Sequence, residues 1–339
     1  METLHLPEEI VTEILSRLPV KSLLRFRCVS KSWRRLIGSK QFIKHHLDIS
    51  SRHPNFERRQ VIFLSLSKSP NFEFKRCSVR SYWDDPSVNP LPICDPINDH
   101  LTVSSEIIGH SGGLVCIFNE PMSLILWNPA TRISVQLPEL DCCDRIIKCG
   151  IGWDGESDAY KVFAVLSMKN NESKMMGSIY SSETNSWKAI EEYGSVDLNH
   201  WIGEFVCGRM HWIVGSGWIE TFDLKSEVFG RIELPEIVDG WFPTVDLDSE
   251  IQGRLNLVYC DMNCDYARRR LWEMKEYGVD DSWVSYRLPH VKEPESTYMA
   301  WGIEKGEVKL YPRDNIFGCG PECCYVESLV QPVSDNNDA

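Results

Sequence analysis

The chain has 339 residues, of which 42% are apolar and 25% are charged, and this balance excludes a largely disordered protein. Its 13 cysteines follow no framework, and the opening sequence METLHLPEEI lacks the basic and apolar regions of a signal peptide. Because no stretch approaches the roughly 18 apolar residues that span a bilayer, we expect reduced thiols, no membrane partner and a location in the cytoplasm or nucleus.

The net charge of -13 is divided unevenly along the chain. Residues 1–47 carry nine Lys or Arg and four Glu, which gives +5 and leaves -18 for the remainder. A basic segment can bind phosphate or an acidic protein surface. No aromatic platform for stacking bases accompanies these charges, and the acidic remainder would repel nucleic acid. We therefore expect a protein partner and no nucleic acid.

The first 47 residues predict three or four short helices. Pro7 and Glu8 are typical of a helix start, because proline is tolerated in the first turn and a carboxylate favours the positive end of the helix dipole. A second helix is predicted within Val20–Cys28, a third after Ser30, and a fourth within Lys40–Leu47. Helices this short bury little apolar surface, so we expect a partner to stabilise them, either the rest of this chain or another protein.

The string LPEEIVTEILSRLPVKSLLRFRCVSKSWRRLI strongly resembles the F-box, the segment that binds the Skp-type adaptor of cullin-based ubiquitin ligases. By this resemblance, the surface offered to the adaptor comprises Leu6, Pro7, Ile10, Ile14, Leu18, Pro19, Leu23, Val29 and Trp33. Any one of these apolar residues could instead fill the core of the module. Leu15, Leu24 and Leu36 are at least as compatible with that core as with the interface.

Beyond the helices, the polar residues 48–60 predict a linker, residues 61–330 a β domain, and residues 331–339 a disordered tail. One element recurs in the β domain: an aromatic residue, a turn rich in Asn, Asp, Ser or Lys, a second apolar strand and often Leu-Pro. It begins at Trp127, Tyr180, Phe222 and Tyr277, with Tyr325 as a candidate last copy and Phe74 as a degenerate first. This indicates repeated hairpin pairs.

The recurrence from Trp127 to Tyr325 averages about 50 residues, the period of kelch-type propeller blades. Small sheets that cannot cover their own faces stack radially around an axis. Residues 61–330 leave room for five or six such blades, with a two-sheet sandwich as the alternative. We therefore predict an α+β multidomain chain, with a small helical F-box followed by an all-β, kelch-like β-propeller domain.

The segments GHSGGLVCI, LILWNPATR and IYSSETNSWK closely resemble the F-box-associated domain that follows the F-box in a large family of plant receptors. The similarity is best over residues 105–240 and weakens toward the C-terminus. In that family the domain recognises the target protein. Trp218 and Trp241, each beside a glycine, are candidate anchors for such a target, although packing between sheets would explain them too.

Residues that could carry chemistry form no complete constellation. The chain has no P-loop or H-E-x-x-H motif, and its G-x-S-x-G spacing occurs in the residues GHSGG. The segment Gly109–Gly113 holds a His-Ser pair, but a nucleophilic serine also needs a base and an orienting acid. We expect it to form a turn before a strand at Leu114–Phe118.

Cysteine clusters and aspartate pairs are the candidate metal ligands. The cysteines lie at Cys142 and Cys143, at Cys260 and Cys264, and at Cys319, Cys323 and Cys324. None of these clusters has C-x-x-C spacing or a nearby histidine. The pairs Asp84-Asp85 and Asp280-Asp281 are typical of turns. We expect no metal and no cofactor.

These observations predict a non-catalytic substrate-recognition subunit of an SCF-type (Skp–cullin–F-box) ubiquitin ligase. The Skp-type adaptor, and through it the cullin, would hold the helices, while the β domain would hold an unidentified target for ubiquitination. One alternative is a scaffold that docks the adaptor without turnover of a target. Another is a propeller enzyme or glycan-binding protein that carries an incidental helical segment.

Overall fold

The computed structural model describes residues 6–52, 59–66, 72–79, 81, 90–93, 105–120, 122–140, 143–168, 171–193, 202–215, 217–235, 241–244, 254–261, 269–287, 300–304, 307–311 and 322–332. The chain divides into two compact units, which we describe separately. The first holds four helices and two β-sheets, and the second holds the remaining sheets. Among the described helices, none is long and apolar enough to cross a membrane.

Four helices open the chain: α1 (Glu8–Ser16), α2 (Val20–Phe26), α3 (Lys31–Gly38) and α4 (Lys40–Ser51). Pro7 and Pro19 directly precede α1 and α2, where their missing N–H groups cost no helical hydrogen bond. Ser30 caps α3, and its hydroxyl accepts a hydrogen bond from the backbone N–H of Trp33 at 3.1 Å. The structure thus has four helices in this segment, the larger of the two numbers that the sequence predicts.

Helix α4 extends four residues into the segment predicted as a linker and ends at Ser51. The guanidinium of Arg59, the first residue of the β domain, donates a hydrogen bond to the carbonyl of Ser51 at 3.2 Å. The side chain of Arg59 is buried. The described parts of the predicted linker are thus a helix end and the start of a strand, while residues 53–58 lie outside the described part.

Sheet I of the first unit joins the two ends of the β domain. Its strands, in spatial order, are β22 (Glu322–Val326), β1 (Arg59–Leu66), β2 (Phe72–Ser78) and β3 (Leu91–Pro92). Strand β22 pairs antiparallel with β1, with Tyr325 opposite Gln60. Tyr325 therefore begins the sheet that the N-terminal strands complete, so its assignment as the last copy of the repeat was wrong.

Sheet II is a simple antiparallel meander. Its strands are β4 (Glu106–Ser111), β5 (Leu114–Asn119), β6 (Ser123–Asn128) and β7 (Ile133–Gln136). Sheets I and II share one apolar core, in which the rings of Phe74 and Trp127 lie 5.1 Å apart. Phe74 lies in β2 and Trp127 in β6, each the third strand of its sheet in spatial order. This agrees with Phe74 as the degenerate first copy of the repeat.

In its described residues, the second unit contains three further four-stranded meanders and one hairpin. Sheet III comprises β8 (Cys143–Asp154), β9 (Ala159–Met168), β10 (Asn171–Ser181) and β11 (Ser186–Tyr193). Sheet IV comprises β12 (Glu204–Val206), β13 (Arg209–Val214), β14 (Trp218–Asp223) and β15 (Val228–Glu233). Sheet V comprises β16 (Trp241–Thr244), β17 (Asn256–Asp261), β18 (Arg269–Met274) and β19 (Trp283–Arg287). The hairpin is β20 (Ala300–Glu304) with β21 (Glu307–Tyr311).

The recurring sequence element is the turn between the third and fourth strands of sheets II to V. In sheet IV, the carboxylate of Asp223 accepts hydrogen bonds from the backbone N–H groups of Lys225 and Ser226 at 3.0 and 2.9 Å. Glu227 then closes the turn with a φ of 56°. Asn128 repeats the arrangement in sheet II, followed by Arg132 at a φ of 65°. Short polar side chains recur because each satisfies the N–H groups of its own turn.

Candidate functional site

Helix α1 and the two residues before it leave three large apolar side chains in water. Leu6 is 63% exposed, Ile10 is 47% exposed and Ile14 is 50% exposed. Ile10 and Ile14 are four residues apart, so they lie on the same side of the helix. Pro7, at the start of the helix, is exposed as well. This side of α1 is therefore an apolar surface that the described protein does not cover.

Two further predicted residues are exposed at the connections between helices. Val29, between α2 and α3, is 62% exposed, and Pro19, before α2, is exposed too. Leu18 and Trp33 are partly buried, and they pack against the core of the helical module. The ring of Trp33 meets the ring of Phe26 edge to face at 5.5 Å. Each side chain supports the module and still presents part of its surface.

Leu23 does not belong to this surface. Its exposure is 0%, and it lies in the core of the helical module with Leu15, Val20, Ile37 and Phe42. A side chain already enclosed by its own module cannot offer area to a partner without rearrangement. We therefore correct its assignment from the adaptor surface to the core, which leaves eight of the nine predicted residues at least partly accessible.

The core of the helical module includes residues from the other end of the chain. Leu329, which follows β22, is 3% exposed and belongs to the same apolar cluster as Leu15 and Leu23. Ala130, from the turn after β6, packs against that cluster. The helices and the β domain thus share one core within the first unit. The rest of the chain, one of the two partners expected to stabilise the helices, thus contributes to their core. No local pattern marked Leu329 as the contact, because about 280 residues separate its two sides.

The GHSGG segment, considered for hydrolase chemistry and predicted as a turn, is the end of strand β4 followed by a two-residue turn. Ser111 ends β4 and is 3% exposed, and Gly112-Gly113 form the turn into β5. Gly113 has a φ of 85°, and a Cβ atom there would lie 2.2 Å from the hydroxyl oxygen of Ser328. The glycine therefore provides the left-handed conformation and the space that the C-terminal segment occupies.

Most of the candidate metal ligands lie outside the described part of the chain. These are Asp84, Asp85, Cys142, Cys264 and Cys319, together with the side chains of Cys143, Cys260 and Cys324. Cys323 is buried in the core of sheets I and II. Asp280 and Asp281 form a short 3-10 turn before β19, as expected of a turn pair. Among the described residues, no group of three His, Cys, Asp or Glu side chains could hold a metal ion.

The predicted target anchors lie in sheets IV and V. Trp218 begins β14 and is partly exposed, and the guanidinium of Arg231 lies 4.4 Å from the centre of its ring. Arg231 also forms an ion pair with Glu233 at 2.7 Å. Trp241 begins β16, but its side chain lies outside the described part. A tryptophan stacked under an arginine on an open surface has the composition of an interface anchor.

Comparison with known families agrees with this arrangement of helices and sheets. The F-box domain matches residues 3–45, and the F-box associated beta propeller domain matches residues 68–300. The chain belongs to the F-box proteins with an associated β-propeller domain. Each four-stranded meander of this F-box protein is the kind of sheet from which propellers are built. The predicted fold of helical F-box and β-propeller is confirmed.

The relatives of this F-box protein include plant proteins. An F-box/kelch-repeat protein of Arabidopsis thaliana is 26% identical over 97% of this chain and 96% of its own length. The Arabidopsis thaliana F-box protein CPR1 is 29% identical over 86% of this chain and 74% of its own length. A solved structure of Aleuria aurantia lectin with alpha-methyl-L-fucoside covers 83% of this chain and 94% of its own, at 8% identity and a TM-score of 0.40. Similarity at that level carries no argument about a ligand.

Proposed function

We propose that this F-box protein is the substrate-recognition subunit of an SCF-type ubiquitin ligase. The observation that carries the proposal is the uncovered apolar surface of Leu6, Ile10, Ile14 and Val29 on the F-box module. Covering one such side chain fully contributes on the order of 1.5–3 kcal/mol, so four of them suffice for a stable contact. The partner implied by the resemblance to the F-box is a Skp-type adaptor.

The positive charge of the same module favours a partner whose contact surface is acidic. Lys21, Arg25, Lys31, Arg34 and Arg35 are exposed on α2 and α3. Exposed charges of one sign accelerate encounter with a surface of the opposite sign and are screened by salt. The apolar surface would supply most of the affinity, and the basic residues would raise the association rate.

The mechanism that follows is proximity without catalysis by this chain. The adaptor and cullin would hold the F-box, the β domain would hold the target, and the bound ubiquitin-carrying enzyme would reach lysines of that target. Trp218 and Arg231 are our candidates for one anchor of the target. The complex would act in the cytoplasm or nucleus.

The first test measures adaptor affinity after the apolar surface of α1 is reduced. The double variant Ile10→Ala and Ile14→Ala should weaken binding of a purified Skp-type adaptor by roughly 30- to 1000-fold, because each side chain contributes about 1–2 kcal/mol. Glu9→Ala, on the same helix, is the matched control and should bind as wild type does. Titration calorimetry gives both affinities. Equal affinity for the wild type and the double variant would refute the proposed interface.

A second experiment separates the receptor from a scaffold. Proximity labelling by the full-length protein, with ligase activity inhibited, should capture candidate targets. A receptor requires that ubiquitination of at least one captured protein falls in cells that carry the Ile10→Ala and Ile14→Ala variant. Unchanged ubiquitination of all captured proteins would favour a scaffold that docks the adaptor without turnover.

A further inference from the structure

The residues after β22 make a set of contacts that the proposed function does not yet use. We name residues Glu327–Pro332 the C-terminal strap. Its Leu329 lies in the core of the F-box module, and its Glu327 forms an ion pair with Arg76 of β2 at 2.8 Å. Pro332, its last residue, is buried although it falls in the predicted disordered tail, of which residues 333–339 lie outside the described part. The strap therefore contacts the helices and sheet I at the same time.

Asn128, at the turn of the WNPATR segment, holds the strap from sheet II. Its side-chain amide donates hydrogen bonds to the backbone carbonyls of Ser328 and Val330 at 3.0 and 2.8 Å, and lies 3.3 Å from the hydroxyl oxygen of Ser328. Its amide oxygen accepts from the N–H groups of Ala130 and Thr131. Asn128 is 0% exposed. One side chain thus shapes its own turn with its oxygen and binds the strap with its nitrogen.

Gly113 also contacts the strap, from the turn between β4 and β5. A side chain at this position would meet Ser328 and the carbonyl of Val326, so the turn between β4 and β5 approaches the strap as closely as only glycine allows. The GHSGG and WNPATR segments, about 15 residues apart in sequence, therefore have one shared structural role. Both bind the segment that inserts Leu329 into the F-box.

We propose that the C-terminal strap is a positioning element that fixes the F-box helices against sheets I and II. Asn128 and Leu329 are its positioning residues: the first holds the strap on sheet II, and the second enters the helical core. The importance of this positioning for ubiquitin transfer rests on the proposed function. The positioning itself does not depend on that function.

The test measures the distance between the F-box and sheet II by single-molecule fluorescence. Because the chain has 13 cysteines, the two dyes are attached to unnatural amino acids at exposed Arg35 in α3 and exposed Glu120 after β5. The wild type should give one narrow distance distribution. Asn128→Asp keeps the oxygen that shapes the turn but loses the donor, and its distribution should be roughly twice as wide.

Two further variants keep the result specific. Leu329→Ala should widen the distribution, and Leu329→Met, which preserves the volume, should restore it. Asn185→Asp makes the same chemical change in a turn of sheet III, where the asparagine oxygen accepts from Tyr180 at 2.9 Å. This control should match the wild type. Circular dichroism of each variant confirms that it is folded, and Asn128→Asp remains informative if Leu329→Ala unfolds.

The outcomes separate the strap from the proposed function. Wild-type distributions in folded Asn128→Asp and Leu329→Ala would overturn the positioning proposal, whatever the adaptor affinity. Wider distributions with no adaptor binding by the wild type would support positioning and reject the ligase role. Wider distributions with adaptor affinity within about twofold of wild type would support both, because Leu6, Ile10 and Ile14 lie outside the strap.

Discussion

A buried histidine in sheet IV couples two strands and a loop through its neutral ring. His211 is 1% exposed, its Nε2 atom lies 2.7 Å from the hydroxyl oxygen of Tyr277, and its Nδ1 atom lies 3.3 Å from the carbonyl oxygen of Glu204. The neutral ring can donate to the carbonyl and accept from the hydroxyl. Burial lowers the pKa of His211 from 6.5 to about 4, and the nearby charge of Arg209 acts in the same direction.

This lowered pKa makes stability depend on pH. Between pH 6.5 and pH 4 the unfolded chain binds a proton at His211 that the folded chain does not bind, so stability falls as the pH falls. We expect a change from pH 7 to pH 5 to cost about 2 kcal/mol of unfolding free energy from this residue. Urea unfolding of the wild type and of His211→Gln at both values measures it. His211→Gln should lose most of this pH dependence of the unfolding free energy. His45→Gln, at an exposed position, should retain it.

Individual residues of the F-box show that a sequence pattern does not separate interface side chains from core side chains. Eight of the residues that the F-box resemblance assigns to the adaptor surface are at least partly accessible, whereas Leu23 is enclosed. On a short helix an apolar residue can turn toward the partner or toward the neighbouring helices, and spacing alone does not distinguish the two. Packing against Phe42 and Ile37 decides the case for Leu23.

At the scale of elements, the turn closed by Asp223 offers a direct test of the repeated hairpin. Asp223→Ala removes the acceptor for Lys225 and Ser226 and the 2.9 Å bond from Arg209, so we expect a loss of about 1–3 kcal/mol in unfolding free energy. Asp223→Asn keeps an oxygen that can accept from the turn, and it should lose less. Denaturant unfolding measures both. Equal losses would mean that only the ion pair matters.

The tryptophans after these turns have a shared role that sequence alone did not reveal. Trp187 in β11 donates its Nε1–H to the carbonyl of Pro138 at 2.8 Å, and Trp283 in β19 donates to the carbonyl of Glu233 at 3.2 Å. Each acceptor lies within or next to a Leu-Pro step that follows the preceding sheet. The recurring tryptophan and the recurring Leu-Pro are thus connected parts of the second unit.

At the scale of the molecule, the sequence predicts the local repeat but does not predict how the two ends of the chain pair. The turns of sheets II to V followed from short polar segments near Trp127, Tyr180, Phe222 and Tyr277, because those signals lie within one hairpin. The pairing of β22 with β1 joins residues more than 250 positions apart, and nothing local specifies it. That is why Tyr325 was assigned to the wrong place in the repeat.

Because the F-box and the C-terminal segment share one core in the first unit, we expect adaptor binding to stabilise both. At an adaptor concentration of about 100 times its dissociation constant, the folded F-box gains about 2.7 kcal/mol. Because Leu329 belongs to the F-box core, hydrogen exchange should slow in α1 to α4 and also in β22 and the strap. A protection limited to the helices would contradict this coupling. Strands of sheet V serve as the internal reference.

The contact of Leu329 with the F-box also constrains the order of events during synthesis. Helix α4 ends at Ser51, so 278 further residues must be made before Leu329 exists. At roughly 5–20 residues per second this takes on the order of 15–55 s. For that interval the nascent helices lack one side of their core. A ribosome that stops before residue 329 therefore releases a chain in which the core of the F-box helices lacks Leu329.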